Sequence, residues 1–189
     1  MSTNLTALPD NLPVPEDDGG ARHLPGMRVL SAPLAATTGR TVDLSALRGR
    51  TVVYAYPMTG VPGSALPEGW DNIPGARGCT VEALSFKDHQ QELAEFGAAV
   101  FGLSTQTTEY QREMAERLHL PFAVLSDEGL ALARGMCLPT MEVEGRILLK
   151  RLTMVLRDGV VEHVFYPVFP PNEAAREVLE WLRRSAGAA

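Results

Sequence analysis

Cys79 and Cys137 are the only cysteines in 189 residues, and they stand 58 positions apart. That separation gives no C-x-x-C dithiol and no zinc spacing, and two cysteines make no disulfide framework. Any cysteine chemistry here is therefore that of a thiol. Cys79 is the better placed of the two. It opens a helical period over 79–96 in which Cys79, Ala83, Phe86 and Leu93 share a face, while Lys87, Asp88, Gln91, Glu92 and Glu95 lie mostly off it. A cysteine in the first turn of a helix meets unpaired backbone N–H groups and the positive end of the dipole, both of which favour thiolate. Without such help a free thiol with a pKa of about 8.5 is only a few per cent ionised at neutral pH. Arg77 adds a positive charge two residues upstream, whereas Glu82, one turn along, opposes a second negative charge. The competing reading of Cys79 is a small buried hydrophobe, and on spacing alone the two readings are evenly matched.

Other chemistries find little support. His23, His89, His119 and His163 are scattered, so no metal site is expected. The Gly-rich stretch 60–78 has neither G-x-x-x-x-G-K-[ST] nor G-x-G-x-x-G and is not a phosphate cradle. Seventeen Lys and Arg against 23 Asp and Glu give a net charge of -6 without a long run of either sign. That argues against nucleic-acid and anionic-membrane partners. No apolar run reaches about 18 residues, and the first twenty residues lack a basic segment followed by an apolar one, so the expectation is a soluble, cytoplasmic protein.

One domain suffices for this length, with an extended Pro-rich arm over 1–28 and the folded domain over 29–189. Two short strands are expected around Gly39, then a buried strand over 51–56, ended by Pro57. Residues 58–78 read as an unusually long loop, in which Trp70 is an anchor. The helix over 79–96 and a strand over 98–104 complete a parallel βαβ unit. A polar helix over 107–118, a strand over 122–125 and a helix over 127–136 capped by Ser126 or Asp127 follow. Asp158-Gly159 then joins strands over 147–156 and 160–166 in a hairpin, and a helix from Asn172 to about Arg184 closes the chain. The order β-α-β-α-β-α-β-β-α specifies an α/β, thioredoxin-like three-layer fold with a mixed central sheet.

Taken in register, five segments resemble a peroxiredoxin of the alkyl hydroperoxide reductase and thiol-specific antioxidant superfamily. They are Thr51-Val-Val-Tyr-Ala-Tyr-Pro57, Gly78-Cys79-Thr80-Val-Glu82-Ala, Val100-Phe-Gly-Leu-Ser104, Phe122-Ala-Val-Leu-Ser-Asp127 and Arg151-Leu-Thr153-Met-Val-Leu-Arg-Asp-Gly159. The resemblance implies a thiol-dependent peroxidase that reduces hydrogen peroxide and organic hydroperoxides through a peroxidatic cysteine, matched here by Cys79, with sulfenic acid as intermediate and no cofactor. It implies that Arg151 stabilises the thiolate and polarises the peroxide. Lys150 next to it points to the other face of the strand, into solvent.

The family motif P-x-x-x-T-x-x-C is altered here. Pro57 and Thr59 follow the strand, yet Ser64 stands where the unbroken motif places the cysteine, and Cys79 comes fifteen residues later. The motif is read as split by an insertion over 60–78. In strict register back from Cys79 the proline and threonine places hold Asn72 and Ala76. Pro57 and Thr59 take the family roles if the insertion bulges outward, and are otherwise ordinary strand-end residues. Cys137 matches no place of a resolving cysteine in that family, and its apolar neighbours Met136 and Leu138 suggest a structural thiol. The cycle implied uses one cysteine, with an external reductant that is a low-molecular-weight thiol or a thioredoxin-like protein. The family's pairing of subunits implies a homodimer. The alternatives are a thiol-disulfide oxidoreductase, disfavoured by the missing C-x-x-C, and a non-catalytic thioredoxin-fold interaction module.

Overall fold

The computed structural model describes residues 5–187. The strands are β1 (Pro33–Ala36), β2 (Thr41–Asp43), β3 (Arg50–Ala55), β4 (Ala98–Ser104), β5 (Val124–Ser126), β6 (Thr140–Val143), β7 (Arg146–Leu149), β8 (Leu152–Arg157) and β9 (Val160–Phe165). The helices are α1 (Cys79–Asp88), α2 (Gln90–Glu95), α3 (Thr108–Arg117), α4 (Ala131–Gly135) and α5 (Ala174–Ala186). Seven strands form one sheet in the order β2-β1-β5-β4-β3-β8-β9, and β6 pairs with β7 in a separate hairpin. β3, β4 and β5 run parallel, and β8 lies antiparallel against β3.

From Val52 onward β3 carries no charged residue because both of its faces are covered. Val52 and Tyr54 pack into one core with Ala83 and Phe86 of α1, Met114 of α3, and Val178, Leu179 and Leu182 of α5. Val53 and Ala55 pack into the other with Leu132 and Ala133 of α4 and with Leu24 and Ala21 of the N-terminal arm. The expected three-layer thioredoxin-like fold with a mixed sheet is thus present. The arm lies along β9, where the Gly26 amide donates to the Val161 carbonyl and the Val161 amide to the Met27 carbonyl, both at 2.8 Å.

Three elements differ from expectation. The helix over 79–96 breaks at His89, whose φ of -101° and ψ of 6° end α1 before α2 restarts. The helix expected from 127 begins only at Ala131, because Leu130 takes φ +58°. Asp127 still serves its start, accepting from the Leu132 and Ala133 amides at 3.1 and 2.7 Å. The strand expected over 147–156 is two strands. β7 turns back on β6 through Glu144 and Gly145, both with positive φ (48° and 73°), and the chain crosses at Lys150–Arg151 into β8 of the main sheet. A two-residue loop with two positive φ values is the turn that matches strand twist, but Glu-Gly is a weaker signal for it than Asn-Gly or Asp-Gly.

The Asp158-Gly159 hairpin forms as expected, and Gly159 carries a second constraint. A Cβ there would stand 2.3 Å from the Ser45 carbonyl oxygen, a backbone atom, whereas one on Gly39, with a similar φ of +79°, would meet nothing within 4 Å. Gly39→Ala should therefore cost about 1 kcal/mol, the strain of the backbone alone, and Gly159→Ala distinctly more. Urea unfolding of both variants measures the difference, and equal losses would contradict the packing assigned to this hairpin.

Candidate active site

Cys79 is the first residue of α1, and Gly78 before it takes φ +109°. A Cβ on Gly78 would lie 2.4 Å from Pro171 Cγ, so only glycine lets the helix start at this place and in this direction. The thiol points inward and Cys79 is 4% exposed. Its Sγ lies 3.6 Å from the Ala76 carbonyl, to which the thiol donates, and it accepts from the Met58 backbone amide.

Arg151 stands where the chain crosses from β7 to β8, and its side chain runs beneath α1. Nη2 donates to Cys79 Sγ and to the carbonyls of Ala76 and Arg77, each at 3.2 Å. Nη1 donates to Glu82 Oε2 in a short ion pair. All three side chains are buried. Glu82 Oε1 and Arg151 Nε have no hydrogen-bond partner among the described residues.

One cation therefore faces two acids in a dry site. Burial pushes the Glu82 carboxyl up to about 7, against the pull of Arg151. Burial also pushes the Cys79 thiol up; the Arg151 charge pulls it down and Glu82 pushes it up again, while the Arg151 and Met58 hydrogen bonds favour thiolate. Burial disfavours the Arg151 charge too, but Glu82 and Cys79 together hold its pKa above the ordinary value. The helix start was expected to favour thiolate; in this closed site desolvation is the larger effect.

The insertion leaves the site and returns to it. Met58 and Gly60 at its start and Arg77 to Thr80 at its end line the same small mouth over Cys79, together with Leu66 and Trp70. Trp70 is an anchor as expected, buried with Met58, Ala76, Val143 and Leu148 in a small core shared with the β6–β7 hairpin. Arg77 pairs with Asp71 at 3.3 Å along the mouth, and Arg151 is the cation at the sulfur. Thr59 is buried, its amide donating to Gln106 Oε1 at 2.8 Å and its carbonyl accepting from Gln106 Nε2 at 3.2 Å. Its hydroxyl donates weakly to the Gly60 carbonyl at 3.5 Å, not to the thiol. Pro57 ends the strand, its carbonyl accepting from Ser104 Oγ at 3.2 Å. The structure thus brings Cys79 and Arg151 into contact and sets Thr59 and Pro57 on the neighbouring segment.

Two sequence readings are corrected. Cys137 is exposed, not buried: it takes φ +50° just after α4, turning its side chain out while Met136 and Leu138 enter the core on the opposite sheet face from Cys79. Lys150 does face away from Arg151, but its Nζ is bound to Asp18 at 2.6 Å and fastens the arm. Sequence reasoning also missed the partnership of Glu82 with Arg151. The available signal was its i+3 spacing from Cys79, which places a carboxylate on the buried side of α1, where it needs a cation. Gln106 gave no local signal. Among the described residues no cluster of His, Cys, Asp and Glu fit to hold a metal ion is present, and no helix is long and apolar enough to cross a membrane.

A family model described as Redoxin matches residues 19–179. The chloroplastic peroxiredoxin Q of Oryza sativa subsp. japonica is 29% identical over 189 residues, covering 97% of this chain and 80% of that protein. That of Sedum lineare is 31% identical over 146 residues, covering 77% and 70%. Among solved structures, peroxidoxin BcpB from Mycobacterium tuberculosis superposes with a TM-score of 0.68 at 28% identity, over 86% of this chain and 98% of the other. Peroxiredoxin Q of Xanthomonas campestris, at 23% identity and a TM-score of 0.65 over 82% and 92%, shares the fold.

If Glu82 and Cys79 compete for one guanidinium, removing the carboxylate charge must ease thiolate formation. Glu82→Gln should move the thiolate titration, followed by absorbance at 240 nm in a Cys137→Ser background, to lower pH. A group whose pKa rises on folding makes stability fall as pH rises between its unfolded and folded values. For Glu82 that window runs from 4.5 to about 7. Urea unfolding across it should show the wild-type decline flattened in Glu82→Gln. A thiolate titration that stays put or moves up in the variant would refute the competition.

Proposed function

The chain belongs to the Redoxin family and is a peroxiredoxin, a thiol-dependent peroxidase of the thioredoxin-fold superfamily, and we propose that Cys79, served by Arg151, runs its cycle without a second cysteine. The observation that carries the site assignment is the 3.2 Å contact of Arg151 Nη2 with Cys79 Sγ at the start of α1. Sulfur there is held between a fixed cation and the Met58 amide, the arrangement that stabilises negative charge on it and on an approaching oxygen. The Cys79 thiolate attacks the terminal oxygen of a hydroperoxide. The S–O bond forms as the O–O bond breaks, sulfur loses two electrons, and the leaving oxygen takes up a proton and departs as an alcohol, or as water from hydrogen peroxide. Cys79 is left as sulfenic acid. Pro57 and Thr59, beside the mouth, are the groups assigned to shape the approach of the peroxide oxygens.

Reduction is assigned to outside thiols. One thiol condenses with the sulfenic acid and releases water, giving a mixed disulfide; a second attacks the outer sulfur of that bond, leaving as a disulfide with the first while Cys79 is released as thiolate. The donor is a low-molecular-weight thiol or a thioredoxin-like protein, and a reducing compartment such as the cytoplasm suits it. What supports a single-cysteine cycle is the central sheet between the two thiols. A disulfide needs Cα atoms within about 7 Å, and the neighbours of Cys137, Met136 and Leu138, pack on the opposite sheet face from Cys79.

Stopped-flow mixing with hydrogen peroxide should show fast consumption by the wild type and by Cys137→Ser, and none above a free thiol in Cys79→Ser. Arg151→Met should slow the reaction by about 100-fold or more, the usual loss when an oxyanion-stabilising donor is removed. Mass spectrometry of the oxidised wild type without reductant should find no Cys79–Cys137 bond. Such a bond would overturn the one-cysteine cycle, and wild-type consumption no faster than that of a free thiol would overturn the assignment of Cys79.

A further inference from the structure

The mouth over Cys79 is narrow. Its volume is about 10 Å³, barely that of the site needed for one water, so a hydroperoxide with two oxygens and a carbon body requires the cover to move. The cover comes from two segments. A Cβ on Gly60 would stand 2.9 Å from Leu66 Cδ2 of the insertion and 3.2 Å from Leu5 Cδ2 of the arm, and one on Gly78 would stand 3.0 Å from Leu8 Cδ2. Two leucines three residues apart thus press on the two glycines that flank the sulfur.

The hold of these leucines is modest. Leu5 and Leu8 are half-buried, while residues 6, 7, 9 and 10 are exposed. Further along, the arm is fastened at Asp18, which accepts from Lys150 Nζ at 2.6 Å and from the Tyr166 hydroxyl at 2.8 Å. Half-burial of two leucines favours a closed strap by a factor of roughly tens, a bias that a substrate can reverse. Met58, Leu66 and Trp70, with Leu5, form the apolar part of the lining, and Thr80 and Arg77, whose charge is paired with Asp71, form the polar part. A group that takes the place of a leucine against the apolar part is a hydrocarbon group.

We propose that Leu5 and Leu8 are a displaceable gate over Cys79, and that the hydrocarbon body of an organic hydroperoxide replaces them against Met58, Leu66 and Trp70 while its O–O group reaches Sγ. The substrate half of this rests on the peroxidase reading; the gate does not. Hydrogen peroxide has no body to fill the mouth, so the same residues discriminate against it.

The gate is tested by labelling the full chain with N-ethylmaleimide, with exposed Cys137 as internal reference and mass spectrometry as readout. The Cys79-to-Cys137 labelling ratio should rise about tenfold or more in the double variant Leu5→Ser/Leu8→Ser, and an unchanged ratio overturns the gate. The substrate class is tested by stopped-flow oxidation with cumene hydroperoxide and hydrogen peroxide. The wild type should favour cumene hydroperoxide, and Leu66→Ser should cut that preference at least about fivefold. A preference that is absent, or that survives the substitution, overturns the assignment of the mouth. If neither peroxide outpaces a free thiol while the labelling ratio still rises, the gate stands and the peroxidase reading falls.

Discussion

A single buried guanidinium organises the site. Arg151 binds the Cys79 sulfur, the Glu82 carboxylate and the carbonyls of Ala76 and Arg77, so it ties α1, the end of the insertion and the main sheet to one point. Removing one partner of a buried ion pair strands the other and typically costs about 3–5 kcal/mol. Function and stability are therefore carried by the same group. Its place follows from topology. The chain leaves the β6–β7 hairpin and enters β8 at Lys150 and Arg151, and neighbouring residues of an extended chain point oppositely. One cation turns in beneath the helix start and the other turns out to Asp18.

The same burial that makes Arg151 effective makes the thiol slow to ionise. In water, Arg151 would add little to the reactivity of Cys79; in a dry site its field is strong, but desolvation of the sulfur and the competing charge of Glu82 both favour the neutral thiol. The first of these causes depends on the cover. Between the departure of Leu5 and Leu8 and the filling of the mouth by a hydrocarbon body, water reaches Sγ and weakens the largest obstacle to thiolate, whereas the Arg151 contact is made from beneath and stays. Access and activation are thus coupled through one variable, the hydration of the mouth.

Much of this was legible where local pattern and tertiary environment agree. The run from Thr51 to Tyr56, the inward face of Cys79, Ala83 and Phe86, and the Asp158-Gly159 turn each carry a signal that the fold does not contradict. Arg151 was legible only through its place before that turn. The signals failed where a single residue changes the direction of the chain. Glu144-Gly145 builds a hairpin with a residue that rarely adopts positive φ, so β6 and β7 were merged or missed. Cys137 sits between two core residues, yet its own positive φ turns it outward. Glu82 read as an opponent of the thiolate, which it is, but its second role as the counter-ion of Arg151 depends on a residue 69 positions away.

The split motif shows how a sequence interruption need not be a spatial one. Closing a loop costs entropy that grows only slowly with its length, so the fifteen extra residues are tolerable if both ends stay anchored. One end is held by Gln106, which bonds both the amide and the carbonyl of Thr59, and by Arg117, whose Nη2 donates to the Gly60 carbonyl at 3.4 Å. The other is held by Arg151 through Ala76 and Arg77. Between them the loop carries its own small core, with Trp70 against Val143 and Leu148 of the β6–β7 hairpin. The insertion is therefore folded back on the site it interrupts. With its two ends fixed around the sulfur, the loop lays Leu66 and Trp70, and the arm lays Leu5, against the mouth over Cys79.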